Sequence, residues 1–209
     1  MPSVRSKAQQ RPDTRRRLLD AAVDVLAEDG MGAFTHRVIE QRAAVYHGAT
    51  THFFGTRDQL IDAVFEHLFA LDHGRLDSHY DVPTNPAALT DPDAVRRMLR
   101  GGVGALFDSR REAIARYQLV VHAAQQPRLQ ESLGRWRGSV VAQATPVFAA
   151  LGASDPERSA RLFVAGADGL LLHAFSAPWP QLEADLDGLV DGLVAGALSL
   201  AQAGATCAR

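Results

Sequence analysis

Apolar residues recur at helical spacing along nearly all of this chain, and a glycine or proline stands at most breaks in that rhythm. From Asp13 to Asp29, Leu18, Leu19, Ala22, Val25 and Leu26 share one helical face, and Gly30 is a natural stop. Thr35 suits the N-cap of a short helix through Ala43, with Val38, Ile39 and Ala43 apolar. A second short helix is expected over about residues 46–52. Thr56 then caps a longer helix running to about His79, whose inner face is Leu60, Ile61, Val64, Phe65, Leu68 and Leu71. The stretch DVPTNPAALTDP, residues 81–92, carries three prolines and reads as a linker. Further helices are expected over about 92–107, 109–125, 128–151, 156–176 and 181–203. No segment alternates polar and apolar residues as a half-buried strand must. The pattern predicts an all-α chain of about nine helices, three small ones first and then a larger bundle.

At 209 residues, the chain has room for one or two domains and a core that needs no staples. Its lone cysteine, Cys207, can form no internal disulfide, which suits a reducing cytoplasm. The first 17 residues are polar and basic, unlike a secretory leader. The most apolar runs, 162–178 and 186–204, are interrupted by Asp168 and His173 and by Asp187 and Asp191. Neither offers the roughly 20 apolar residues that span a bilayer, so a cytoplasmic protein with no membrane partner is expected. Net charge is −2 but uneven: within residues 1–17, Arg5, Lys7, Arg11, Arg15, Arg16 and Arg17 face only Asp13, a local +5. A basic end on a mildly acidic body points to a polyanion partner at that end, or else to a solvated tail.

Little in the sequence supports catalysis. His36, His47 and His52 cluster in the sequence, but no pair is spaced i, i+4, and neither HExxH nor Glu-x-x-His occurs. A G-x-S-x-G nucleophile turn and both glycine-rich phosphate loops are also missing. No catalytic residue, metal ligand or cofactor is assigned. The stretch VYHGATTHFFGTRDQL, residues 45–60, fits a surface that reads duplex DNA better. Two short helices joined by a tight turn make a helix-turn-helix, and the second enters the major groove. Gly48 and Ala49 let the backbone approach phosphates, while His47, Thr50 and Thr51 offer hydrogen-bonding groups. Arg57 opens the next helix, where positive charge and free N–H groups suit a phosphate.

Residues 15–60, around the run RRLLDAAVDVLAEDGMGAFTHRVIEQRAAVYHGATTHFFGTRDQL, resemble the DNA-binding region of the TetR family of bacterial one-component regulators. The later helices are similar to that family only in number and length. Where the family usually ends its motif with Gly-Thr-Leu-Tyr-x-His-Phe, this chain has Gly48, Ala49, Thr50, Thr51, His52, Phe53 and Phe54. Thr50 thus stands for a usually buried leucine, Thr51 for the tyrosine, and Phe53 for a histidine that often contacts phosphate. Ala44 replaces the usual turn glycine, where a left-handed backbone costs about 1 kcal/mol. The resemblance implies that Thr35 caps the second helix and that His36 and Arg37 face DNA, Arg37 suiting a guanine. It further implies that Tyr46, His47, Ala49, Thr50 and Thr51 present the reading face, and that Phe54 joins the core.

The implied organisation is a basic flexible arm (1–12), a DNA-binding domain (13–56) and an effector-binding and dimerisation domain (57–209). A helix-turn-helix monomer reads few base pairs, so a homodimer on a near-palindromic operator is expected. Gly188, Gly192 and Gly196 fall every four residues, beside Leu186, Leu189, Val190, Leu193 and Ala197. Each glycine costs a helix interior about 1 kcal/mol, so three in register predict close helix approach. The expected interface is Gly166, Leu170, His173, Leu189, Gly192, Leu193 and Gly196, with packing inside one subunit as the alternative. Phe107, Tyr117, Val121, His122, Trp136 and Val140 are candidates for an effector pocket, which needs apolar walls and a few polar tips. Plain bundle core is the competing reading for each. The expected function is a ligand-responsive repressor. Its alternative is a helical small-molecule binding protein without DNA recognition, and an enzyme using His122 or His173 with Asp168 has no spacing to support it.

Overall fold

The computed structural model describes residues 7–79, 91–177 and 179–206. The linker expected over 81–92 lies outside them up to residue 90, as do Arg5, Pro178 and Cys207. The described residues form nine α-helices: α1 (Lys7–Glu28), α2 (His36–Arg42), α3 (Ala49–Phe54), α4 (Arg57–His79), α5 (Pro92–Phe107), α6 (Arg110–Ala123), α7 (Pro127–Ala150), α8 (Pro156–Ser176) and α9 (Leu182–Thr206). One turn of 3-10 helix, Met31–Ala33, follows α1. Among the described residues, no helix is long and apolar enough to cross a membrane.

Two boundaries differ from the sequence expectation. Helix α1 begins at Lys7 rather than Asp13 and runs through Pro12. Pro12 is the sixth residue of α1, where proline forfeits the one N–H bond to the carbonyl four residues back and the rest of the ladder still forms. Helix α3 starts at Ala49, not near residue 46, because Gly48 takes a left-handed conformation (φ 87°) that helical residues cannot share. Tyr46 and His47 therefore belong to the turn before α3.

The chain divides into two compact units, Met1–Leu71 with Arg111–Ser132, and Asp72–Arg110 with Leu133–Arg209. In the first, the core is built from Leu18, Ala22, Val25 and Leu26 of α1, Phe34, Ile39 of α2, Ala49 of α3, and Leu60, Ile61, Val64, Phe65 and Leu68 of α4, all buried. Each large apolar side chain so buried contributes roughly 1.5–3 kcal/mol before entropy is counted. The reciprocal capping box at α4 has the Thr56 N–H donating to Gln59 Oε1 at 2.9 Å and the Gln59 N–H to Thr56 Oγ1 at 3.3 Å. Arg111 pairs with Asp24 at 2.6 Å and Arg128 with Asp62 at 2.8 Å, tying α6 and the start of α7 to α1 and α4.

The second unit packs Val95, Leu99 and Val103 of α5, Val147 and Phe148 of α7, Phe163 and Ala167 of α8, and Val190, Val194 and Ala197 of α9 into one core. Arg100 grips Asp191 with both nitrogens, Nε donating at 2.8 Å, and this pairing holds the carboxyl below its usual range. Buried Ser159 donates to the Ala197 carbonyl at 3.1 Å, locking α8 to α9.

Helix α2 ends in a Schellman motif: the Val45 N–H donates to the Glu40 carbonyl and the Ala44 N–H to that of Gln41, both at 3.1 Å. The motif needs a left-handed residue, and Ala44 supplies it at φ 50° with its Cβ in the way. Ala44→Gly is therefore expected to raise stability by roughly 0.5 kcal/mol in chemical denaturation, the relief of the left-handed alanine less the extra chain entropy of glycine.

Candidate nucleic-acid interface

Helices α2 and α3 are positioned by their ends. Thr35 caps α2, its Oγ1 accepting the Val38 N–H at 3.3 Å. At the other end, the Arg17 guanidinium of α1 donates to the carbonyls of Ala43 (2.5 Å) and Ala44 (3.1 Å). Arg42 pairs with Glu28 at 2.6 Å and with Asp29 at 2.9 Å. Two arginines thus hold α2 against the first helix and its end before any ligand is considered.

The N-terminus of α3 has no capping side chain of its own, since Gly48 is its N-cap. The cap comes instead from α2. Buried Glu40 accepts the Gly48 N–H on Oε2 at 3.1 Å and the Thr50 N–H on Oε1 at 3.0 Å. The same carboxylate accepts the Thr50 hydroxyl at 2.5 Å and His47 Nδ1 at 3.1 Å. Burial is the largest single influence on Glu40 and pushes its pKa up, yet the four hydrogen bonds outweigh it and hold the carboxyl at about 2, against 4.5 ordinarily. Sequence reading missed Glu40. Its only signal was an acidic residue directly after core-facing Ile39, with two unpaired helix-start amides a turn away.

The residues expected to read DNA divide into two sets. Arg37, Thr51 and Thr35 are exposed, Tyr46 is 59% exposed, and the His47 side chain is 92% exposed. His36 is half-buried and its Nδ1 lies 3.1 Å from Thr51 Oγ1, which joins the outer faces of α2 and α3. Ala49 and Thr50 are fully buried, so their side chains face the core of the first unit, not a groove. Thr50 occupies the buried place of the family's leucine, its hydroxyl satisfied by Glu40. Phe53 is half-buried, edge-on to His52 at 5.1 Å, and Arg15 of α1 lies over the buried Phe54 ring at 5.2 Å. Arg57 is exposed, donates through Nε to the Phe34 carbonyl at 3.2 Å, and leans on the Phe34 ring.

The other expected sites are placed as follows. Phe107 is half-buried and meets Phe175 edge-on at 5.7 Å. Tyr117 is half-buried beneath the Arg116 guanidinium, and His122 bonds Gln126 at 2.9 Å. Val121 is 69% exposed, Trp136 buried and Val140 half-buried. A groove of about 820 Å3 lies between Gly134, Arg137, Gly138, Val141, Ala142, Thr145 and Pro146 of α7 and Glu157 and Arg161 of α8, and none of these expected residues lines it. Along α9, among the described residues, nothing beyond the helix's own neighbouring backbone comes within 4 Å of where a side chain would begin at Gly188, Gly192 or Gly196. Gly166 differs: a Cβ there would meet Leu193 at 2.5 Å, so that pair packs within the subunit. Leu170 and Leu189 are half-buried, and His173 is exposed beside Trp179.

Two family models match the chain. Residues 18–64 match "Bacterial regulatory proteins, tetR family", and residues 90–199 match "Tetracyclin repressor-like, C-terminal domain". An HTH-type transcriptional repressor of Mycobacterium tuberculosis is 43% identical over 58 residues, covering 28% of this chain; the match spans only 31% of that relative's length. A transcriptional regulator from Rhodococcus sp. Rha1 superposes with TM-score 0.75 at 27% identity, covering 88% of this chain and 95% of that one. The multidrug binding protein EbrR, complexed with ethidium, has TM-score 0.63 at 27% identity, covering 87% and 98%.

Because Glu40 ionises more readily when folded, its contribution to stability is present above about pH 4.5 and is lost as pH falls toward about 2. Acid titration of the wild type should show that loss, and Glu40→Gln should flatten it. Thr50→Val keeps the buried shape but removes one donor to a charge, and is expected to cost about 2 kcal/mol in denaturant unfolding.

Proposed function

This chain belongs to the TetR family of bacterial regulatory proteins, and we propose that it is a cytoplasmic, homodimeric repressor released from a palindromic operator by a small-molecule effector. Residues 1–12 serve as a basic arm, residues 13–56 read DNA, and residues 57–209 bind the effector and form the dimer. The observation that carries this reading is the Glu40 clamp: a helix as short as α3 is held rigidly while Arg37, Tyr46, His47 and Thr51 stay exposed beside it. Short isolated helices are unstable in water, so a presented α3 requires such support. Ala49 and Thr50 act from inside, setting the pitch of α3 rather than touching bases. Gly48 and Arg57 lie where backbone and guanidinium approach phosphates, and Phe53 fills the neighbouring surface.

The effector acts through α4, which starts immediately after the reading helix and continues to His79. A shift of α4 changes the spacing of the two reading helices away from about 34 Å, one turn of DNA. A coupling of roughly 1–3 kcal/mol then weakens operator binding about 5- to 150-fold. The ethidium complex of EbrR supports an organic small molecule as the effector class. The open glycine row of α9 supports dimerisation through Gly192 and Gly196, with Leu170, His173, Leu189 and Leu193 around it.

Arg37→Ala combined with Thr51→Ala is expected to lower specific operator affinity tenfold or more, since a good base contact is worth about 1–3 kcal/mol. Unchanged affinity in a filter-binding titration would remove this face from the reading. Gly192→Leu meets open space within the subunit, so it should leave the fold intact and convert the dimer to monomer in sedimentation. A variant that stays dimeric would place the interface elsewhere.

A further inference from the structure

The contacts of Glu40 also determine the chemical state of an exposed ring beside the reading helix. His47 sits directly before Gly48, its side chain 92% exposed, with Nδ1 3.1 Å from Oε2 of a carboxylate that is itself only 5% exposed. That carboxylate receives three further donors, the Gly48 N–H, the Thr50 N–H and the Thr50 hydroxyl. These three donors fill three of the carboxylate's four acceptor sites before His47 is counted, and hydrogen bonding of this kind keeps the group ionised. An ionised carboxylate only accepts hydrogen bonds, so His47 Nδ1 must carry the hydrogen between them. A neutral imidazole has one N–H, and Nε2, on the far side of the ring, is then a bare acceptor facing outward.

We propose that Glu40 holds His47 in the Nδ1–H tautomer, making His47 a specificity residue that accepts a hydrogen bond from the exocyclic amino group of cytosine or adenine in the major groove. The inference rests on the reading of α3 as the DNA-reading helix. Residues at the N-terminal end of such a helix are the ones that reach base edges. In the major groove, cytosine N4 and adenine N6 are the donors, whereas guanine N7 and O6 and thymine O4 are acceptors. The tautomer also excludes the commoner role for a polar residue here. Phosphate oxygens only accept, so a neutral ring whose outward nitrogen lacks hydrogen gains nothing from the backbone. With the ring neutral, His47 is therefore a base reader rather than a phosphate anchor, and Glu40 is the positioning residue that makes it one.

Two measurements test this on the full-length protein. Long-range proton–nitrogen correlation spectra of histidine-labelled protein at about pH 8, where a free imidazole is neutral, should show His47 protonated on Nδ1. Protonation on Nε2 would overturn the proposal. In parallel, a selected operator is compared for wild type and His47→Ala, an exposed change that leaves the clamp's three other donors in place. His47→Ala should lose discrimination at one base pair per half-site and keep it elsewhere. At that pair, 2-pyrimidinone for cytosine or purine for adenine deletes the amino group, and should weaken wild-type binding roughly three- to tenfold. The same replacement should leave the variant unchanged, and a 7-deazapurine there should leave both unchanged. A loss with the 7-deazapurine instead, or a His47→Ala loss equal on every sequence, would overturn the acceptor role. A wild type with no sequence preference at all would overturn the DNA reading beneath it, a failure that the spectra would distinguish from the wrong tautomer.

Discussion

A single buried carboxylate organises the first unit of this protein. Glu40 leaves α2, enters a place that would suit an aliphatic residue, and accepts hydrogen bonds from the Gly48 and Thr50 amides at the start of α3. A buried charge is tolerated only when its lone pairs are filled, and here all four donors lie within three residues of one another, His47, Gly48 and Thr50. The result is a cap supplied by the neighbouring helix. It fixes the angle between α2 and α3 and orients α3 without using any side chain on its outer face. Everything proposed for DNA recognition depends on that division, in which anchoring groups point in and reading groups point out.

The same division explains why departures from the family's motif do not disturb the fold. Thr50 stands where the family usually has leucine, and threonine alone would leave a hydroxyl stranded in apolar surroundings. Glu40 removes that penalty, and Thr50 in turn helps keep Glu40 ionised. The two residues are comprehensible only as a pair. Arg17 plays a comparable part at the other end of α2, where it covers carbonyls that the helix leaves open. Its charge counts in the basic N-terminal run, but its hydrogen bonds belong to the fold.

Much of the architecture was legible because helix signals are local. Apolar spacing and the caps Thr35 and Thr56 lie within a turn of the ends they mark, and the helix bounds there follow them closely. What escaped the sequence depends on contacts across a turn. The sequence pattern carries α3 back to about residue 46, whereas the left-handed backbone of Gly48 makes that residue the boundary. Ala49 and Thr50 looked like reading residues because a short polar helix carries no apolar stripe to show which side is inward. Glu40 carries little local signal, since its partners lie seven to ten residues downstream. The glycine row of α9 is visible in the sequence, but only the structure separates it, with space beside each would-be side chain among the described residues, from Gly166, which already packs on Leu193.

The most direct test of the account is a footprint of the purified protein on the DNA flanking its own gene, at two salt concentrations with nonspecific competitor. A rigidly presented pair of reading helices predicts protection of two half-sites about one helical turn apart, weakening steeply as salt rises. Weak binding, equal on every sequence, would contradict it and leave a helical small-molecule binding protein in its place.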